Sequence, residues 1–183
     1  MNNLKNIKMK KTLLILLAAV TLFAACKTDN QREKLLKEIT QSEKEIVAKE
    51  NVTFEENQRL IDLYLAFADE YPQDSLAPEM LFCCAFFAAA TQQKIYAITL
   101  YQRIYDEYPD HAFRPVALLQ QARIYDYLGD IEHAKPLYEQ FLVLFPDDPD
   151  AVGVEEYLEI FDKSEEELEL LIQQFENQNQ IEE

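Results

Sequence analysis

A proline that follows an aromatic residue recurs at a constant interval of 37 residues, and this interval limits the possible folds more than any other feature. The three pairs are Tyr71-Pro72, Tyr108-Pro109 and Phe145-Pro146. Further residues match at the same offset: Pro78 with Pro115, Leu81 with Leu118, Ala85 with Ala122, Ala97 with Ala134, Tyr101 with Tyr138, and Asp110 with Asp147. Self-similarity at such a period predicts stacked units that bury their apolar faces against one another.

Helix signals fill each unit. Pro78 and Pro115 suit a first helical turn and open two apolar segments, and Gly129 ends the second segment. Upstream, residues 51–72 contain the second helix of an earlier hairpin, and the charged residues 31–49 are expected to form its partner helix. The alternation typical of strands is missing, so we predict an all-α fold of about eight helices.

The spacing within each unit resembles the tetratricopeptide repeat, whose pattern is W-x2-L-G-x2-Y, then A-x3-F, then P. One unit supplies Leu81, Cys84, Ala85, Ala88, Ala97, Tyr101 and Pro109, and the next supplies Leu118, Gln121, Ala122, Tyr125, Ala134, Tyr138 and Pro146. Leu replaces Trp and Ala replaces Gly, while the small, aromatic and proline positions are kept. The resemblance implies a short superhelix of stacked antiparallel helix hairpins over residues 31–177, followed by a disordered tail at 178–183.

The first residues resemble a bacterial lipoprotein signal. Four lysines precede an apolar run that is too short to span a bilayer comfortably and that ends in LFAAC. The resemblance to a lipobox implies that residues 1–25 are a signal peptide, that Cys26 is acylated, and that residues 26–30 form a lipidated linker. Lys27 in place of an Asp after the cysteine implies transfer to the outer membrane. The alternative is a secretory signal that is cut near Ala25.

Acidic residues dominate the chain after this signal. The formal net charge is −17, and removal of the four lysines within residues 1–25 leaves 13 basic and 34 acidic residues, a charge of −21. Residues 60–183 alone carry 6 basic and 26 acidic residues. A surface this negative repels nucleic acid and anionic lipid, so neither is expected as a ligand.

The sequence lacks the motifs of an enzyme, a cofactor site or a metal site. Neither His111 nor His133 has a partner at metal-ligand spacing, and HExxH, CxxC and glycine-rich phosphate loops do not occur. The acids beside His111 recur in the later turn FPDDPD without a histidine, which favours a helix-ending turn over a site. We interpret the adjacent Cys83 and Cys84 as small core residues. We therefore expect no catalytic residue, no cofactor and no bound metal.

The resemblance also implies a concave face lined by the first helix of each hairpin. The partner-binding residues expected on this face are Phe82, Phe86, Leu119, Arg123, Asp126, Tyr127, Glu156 and Ile160, with Gly153 beside them. An apolar groove of this kind suits an extended or helical peptide, and Arg123 could pair with a carboxylate of that partner. The alternative is that the N-terminal helix covers the apolar residues and that Arg123 pairs with Asp126 or another neighbouring acid.

Acylation followed by tetratricopeptide repeats with aromatic-Pro ends is similar to two envelope families. These are the YfiO-type lipoproteins of the outer-membrane β-barrel assembly machine and the periplasmic repeat proteins associated with the Tol-Pal system. The resemblance covers residues 55–161 and implies a non-catalytic scaffold, anchored in the outer membrane and facing the periplasm, that binds a protein or peptide partner in outer-membrane protein assembly. The alternatives are a structural spacer without a specific ligand, and a metal-binding or enzymatic protein that uses His111 and the acidic turns.

Overall fold

A computed structural model describes residues 30–161 together with 163, 167, 170, 172 and 173. Seven helices and no strand lie within this part of the chain, which confirms the all-α fold class. The helices are α1 (30–47), α2 (Phe54–Glu70), α3 (Ala77–Ala90), α4 (Lys94–Glu107), α5 (Phe113–Tyr127), α6 (Ile131–Leu144) and α7 (Ala151–Phe161). The signal peptide, Cys26 and the C-terminal tail that the sequence predicts lie outside the described residues.

The chain divides into two compact units, the first ending at Phe87 and the second beginning at Ala88. In the first unit, α1 lies against α2, as expected for the partner of that helix. The Tyr64 hydroxyl on α2 donates to Glu43 Oε1 on α1 at 2.7 Å. Arg32 on α1 donates to both carboxylate oxygens of Asp74, just beyond α2, at 2.5 and 3.1 Å, and these hydrogen bonds hold the pKa of Asp74 below its usual value. A charged helix therefore closes the open side of the first hairpin.

In the second unit, α5 packs against both α4 and α6, and α6 packs against α7. Its core contains Leu118, Leu119, Ala122, Ala134, Tyr138, Phe141, Ala151 and Val154. Short connections join consecutive helices, so each helix runs antiparallel to the next. This arrangement is that of consecutive helix hairpins, as the repeat pattern predicts.

Each aromatic-Pro pair ends a helix in the same backbone conformation. The aromatic residues have φ of −128° at Tyr71, −126° at Tyr108 and −132° at Phe145. Their backbone N–H groups donate to the carbonyl groups of Phe67, Ile104 and Phe141, which are again 37 residues apart. The proline that follows restricts the aromatic residue to non-helical conformations and cannot itself continue the ladder of hydrogen bonds. We call the segment from each aromatic residue to the next helix a joint.

A polar side chain three residues after the aromatic residue organises the rest of each joint. Asp74 Oδ1 accepts the N–H of Leu76 at 3.0 Å, and Asp148 Oδ1 accepts the N–H of Asp150 at 2.9 Å. His111 occupies the equivalent position, and its Nδ1 accepts the N–H of Phe113 at 3.2 Å. The sequence comparison gave this histidine no counterpart, whereas the structure shows that it replaces an aspartate as a turn-stabilising acceptor.

The turn inside each of two hairpins is also repeated. Gln92 and Gly129, which are 37 residues apart, have left-handed φ angles of 64° and 75°. In both turns the following residue donates to a carbonyl five positions earlier, Gln93 to Ala88 and Asp130 to Tyr125, each at 2.9 Å. This is the hydrogen bond of a Schellman motif, which requires a left-handed residue and favours glycine there.

The repeated positions form the core in both units. Three tyrosines at the same offset are at most 3% exposed: Tyr64, Tyr101 and Tyr138. The matched leucines and alanines are also buried: Leu81 and Leu118, Ala85 and Ala122, Ala97 and Ala134. Burying each large side chain contributes roughly 2 kcal/mol relative to exposure. The polar exception, Gln121, is 2% exposed, and its amide donates to the Ala117 carbonyl on its own helix at 3.4 Å.

Both described cysteines are free thiols, as the sequence predicts. Cys84 is fully buried and its Sγ lies 3.6 Å from the carbonyl oxygen of Ile61, while Cys83 is half-buried. Burial is the main cause that raises the pKa of the Cys83 thiol. A thiol held in its protonated form is a poor nucleophile, so these residues act as small core side chains.

The joint at His111 offers a direct test of these assignments. Replacing His111 with Ala removes the acceptor for the Phe113 N–H, and we expect the free energy of unfolding to fall by about 1 kcal/mol. His111→Asp supplies the residue found at the two equivalent positions and is expected to keep the stability of the parent chain. Urea unfolding followed by circular dichroism measures both variants. Equal destabilisation by Asp and Ala would instead assign the role of His111 to the contact of its ring with Phe113, whose centroid lies 4.9 Å away.

Candidate functional site

One of the residues expected on the concave face is part of the core instead. Leu119 is fully buried and belongs to the same apolar cluster as Leu118 and Phe141. Because α5 packs against helices on two sides, a wide sector of its surface faces the interior, and Leu119 falls within that sector. The expectation that Leu119 lines an open surface is therefore wrong.

Two of the expected residues lie on α3 in the first unit. Phe82 is half-buried, and Phe86 has 57% of its surface exposed. The Phe86 ring meets the edge of the Phe87 ring at a centroid distance of 5.8 Å and an interplanar angle of 89°. Phe86 thus keeps an exposed apolar face, as the sequence predicts.

A cleft of about 380 Å³ opens in the second unit between α5, the third joint and α7. We call it the Arg123 cleft. Its lining consists of Arg123, Tyr138, Pro149, Asp150, Gly153, Val154 and Tyr157. It therefore contains one pair of opposite charges, two aromatic rings and a glycine that leaves the surface of α7 open.

The polar groups of the Arg123 cleft bond to one another. Tyr157 donates its hydroxyl to Asp126 Oδ2 at 2.5 Å, and the Tyr138 hydroxyl donates to the same oxygen at 3.4 Å. Arg123 Nη2 lies 3.5 Å from Asp150 Oδ2, which bears out the alternative that Arg123 pairs with a neighbouring acid. Because both partners of that ion pair are about half exposed, the pair contributes at most about 1 kcal/mol to stability.

These bonds fix the protonation of the two tyrosines. The hydrogen bond to Asp126, followed by burial, raises the pKa of Tyr157 to about 12. For Tyr138, burial is the first cause that raises the pKa, and the charge of Asp126 adds to it. Both hydroxyls are therefore neutral donors at physiological pH, and both are directed at one carboxylate.

Three other expected residues lie away from the Arg123 cleft. Tyr127 is 75% exposed and borders a second cavity of about 780 Å³, where the Lys94 ammonium lies 4.3 Å from its ring centroid. Lys94 also donates to the Ala89 carbonyl at 3.1 Å. Glu156 and Ile160 are exposed on α7 and do not line either cavity. Of the predicted residues in the second unit, the structure thus places Arg123 in the cleft and Asp126 beside it.

The sequence prediction missed Tyr157 and Asp150. Counting along the repeat pattern selected Glu156 on α7, whereas the cleft is lined one residue later. The spacing of Gly153 and Tyr157 was the available signal, because residues four apart lie on the same face of a helix. Asp150 belongs to the acidic stretch of the third joint, and nothing in the sequence distinguishes it from the acids beside it.

The two histidines have structural partners. His111 caps its joint, as described above. His133 Nδ1 lies 2.8 Å from Asp130, the residue that caps the start of α6, and its ring stacks on Tyr125 at 5.1 Å. The bond to Asp130 raises the pKa of His133. Within the described ranges, no group of three or more His, Cys, Asp or Glu side chains is placed to hold a metal ion.

Comparison with known proteins identifies the repeat. Residues 116–148 match the tetratricopeptide repeat family, and this stretch covers most of α5, all of α6 and the first part of the third joint. No curated protein matches the chain. Tetratricopeptide repeats generally serve protein–protein interaction, so the chain contains an interaction module on an all-α hairpin fold.

The hydrogen bond between Tyr157 and Asp126 predicts a measurable titration. In chains labelled with ¹³C at tyrosine Cζ, Tyr157 should titrate near pH 12, and Asp126→Asn should lower its pKa towards the model value of 10.0. Because the folded pKa lies above the unfolded one, this bond stabilises the fold below about pH 10 and its contribution is lost as the pH rises towards about 12. Glu139→Gln, at an exposed position of α6 outside the cleft, is the control and should leave the Tyr157 signal unchanged. An unchanged pKa in Asp126→Asn would contradict the assignment.

Proposed function

We propose that this protein is a lipid-anchored scaffold of the cell envelope that binds a protein or peptide partner through its helical repeats. The observation that carries the proposal is an open cleft on a hairpin that matches an interaction repeat. The cleft lies where α5 and α7 expose polar and aromatic groups together, and its tyrosine and charged side chains are of the types enriched at binding surfaces.

The N-terminal sequence supports the anchor. Lysines, an apolar run and LFAAC in succession resemble the signal of a bacterial lipoprotein, with Cys26 as the acylated residue. Two or more acyl chains hold a protein on a bilayer almost permanently, whereas one chain binds only marginally. No described helix is long and apolar enough to cross a membrane. We propose attachment to the outer membrane, with the repeat units facing the periplasm.

The similarity to YfiO-type lipoproteins suggests the process that the scaffold serves. An acylated N-terminus joined to tetratricopeptide repeats with aromatic-Pro joints is the combination shared with that family. We therefore propose a role in outer-membrane protein assembly. The strongly negative charge of residues 60–183 disfavours nucleic acid and anionic lipid and leaves a protein as the partner.

The anchor is tested by labelling cells that express the full chain with an alkyne analogue of palmitate. We expect label on the parent chain and loss of both label and membrane retention in Cys26→Ser, because the thiol is the acceptor of lipid. Cys83→Ser is the matched control, since Cys83 is a free, half-buried cysteine inside the helical region and should keep the label. Label that persists in Cys26→Ser would contradict the proposed anchor.

Partner binding is tested with a photocrosslinking amino acid in place of Gly153, whose added side chain would project into open space in the cleft. We expect one discrete protein adduct after irradiation of intact cells. The control places the same amino acid at Val143, which is 78% exposed on α6 and outside the cleft. The spacer alternative predicts no reproducible adduct at Gly153, or the same adducts at both positions, and either result would refute specific binding in the cleft.

A further inference from the structure

The charges around the Arg123 cleft determine the sign of the group it can accept. Within the lining, Arg123 and Asp150 form an ion pair at 3.5 Å. Asp126 adds a second carboxylate beside Tyr157, and Glu156 on α7 is exposed. The second unit as a whole, residues 88–183, carries 6 basic and 21 acidic residues. The local and the overall potential are therefore both negative.

An incoming carboxylate would meet unfavourable conditions in this cleft. It would have to compete with Asp150 for Arg123 and would lie close to the Asp126 carboxylate. Like charges brought together at an interface cost free energy, and a cation gains from the same field. The expectation from the sequence, that Arg123 pairs with a carboxylate of the partner, is thus disfavoured by the arrangement of charges.

The hydrogen-bonding groups also favour a donor as the ligand. Both tyrosine hydroxyls already donate to Asp126 Oδ2. A carboxylate has about four acceptor sites on its two oxygens, so Asp126 retains acceptor capacity for a further donor. Lys and Arg supply such donors, and an Arg fork can engage two carboxylate oxygens at once.

The aromatic walls suit the same kind of side chain. The rings of Tyr138 and Tyr157 lie 5.5 Å apart between centroids at 76°, and Tyr157 is 37% exposed. A cation over an exposed tyrosine face gains roughly 0.5–1 kcal/mol. Gly153 provides room, because a Cβ added there would meet no atom within 4 Å. The volume of about 380 Å³ can admit a long side chain together with its aliphatic stem.

We infer that the Arg123 cleft binds an arginine or lysine side chain presented by an extended basic segment of the partner. The cation lies between the Asp126 and Asp150 carboxylates, and its stem packs on Tyr157 above Gly153. A second copy of this chain is a poor occupant, because it would bring the same negative charge. The inference rests on the proposed function, which supplies a partner, and it specifies the chemistry of that partner.

Fluorescence anisotropy with three short labelled peptides tests the inference on the purified full chain. The first peptide carries arginines among Gly, Ser and Ala, the second carries lysines at the same positions, and the third carries glutamates there. We expect the arginine and lysine peptides to bind and the glutamate peptide not to bind. Asp126→Asn should weaken the arginine peptide about tenfold, the effect of losing one hydrogen bond to a charged group.

Matched variants separate the cleft from general attraction to an acidic protein. Glu139→Gln removes the same charge from an exposed position of α6 outside the lining and should leave affinity nearly unchanged. Gly153→Leu fills the cleft without altering charge and should abolish binding. Gly153→Ala should retain it, because the added Cβ meets open space. Both residues favour helix over glycine, so circular dichroism should show unchanged helix content.

The outcomes discriminate. Equal weakening by Glu139→Gln and Asp126→Asn, or full binding by Gly153→Leu, would overturn the inference in favour of diffuse charge attraction. Tighter binding of the glutamate peptide would overturn it in favour of carboxylate recognition by Arg123. A discrete crosslinked adduct at Gly153 with no binding of either basic peptide would retain the proposed scaffold and refute the basic segment. If both the adduct and peptide binding are missing, the proposed function fails as well.

Discussion

The structure depends on a turn that the chain forms three times. At each joint an aromatic residue leaves the helical region under the restriction of the following proline, and its N–H remains bonded to the helix it ends. Three residues later a side-chain acceptor takes a backbone N–H, and the next helix begins within a few residues. Since the three joints share one conformation, equivalent positions of successive helices face the interior in the same way. The repeated tyrosines, leucines and alanines of the core follow from this.

The Arg123 cleft is a product of the same joint. The third joint supplies Pro149 and Asp150, which places a carboxylate opposite Arg123 on α5. The joint also begins α7 at Ala151, so that Gly153 and Tyr157 fall on the face that borders the cleft. An element that first serves to end one helix and start another thus contributes part of a binding surface. His111 and Asp148 show the reverse relation, because side chains with potential chemistry serve the turn alone.

The direction of the hydrogen bonds gives the cleft its character. Among the described residues, every buried side-chain nitrogen or oxygen has a hydrogen-bond partner. The tyrosine hydroxyls use their protons on Asp126, and Arg123 faces Asp150, so acceptors and negative charge remain for a ligand. This physical bias links the acidic composition to a partner chemistry, and it connects the proposed scaffold role to recognition of a basic segment.

The sequence by itself determined the helical class, the period, the joints and most of the core, because these depend on local preferences and on spacing along one helix. It also identified Arg123 and Asp126. Only the tertiary structure decided that Leu119 is buried, that Arg123 pairs with Asp150, and that Tyr157 lines the cleft in place of Glu156. The reason is that helix–helix packing sets the rotation of α5 and α7 about their axes. A rotation by one residue position, about 100°, exchanges a core residue for a surface one without any change in the pattern along the chain.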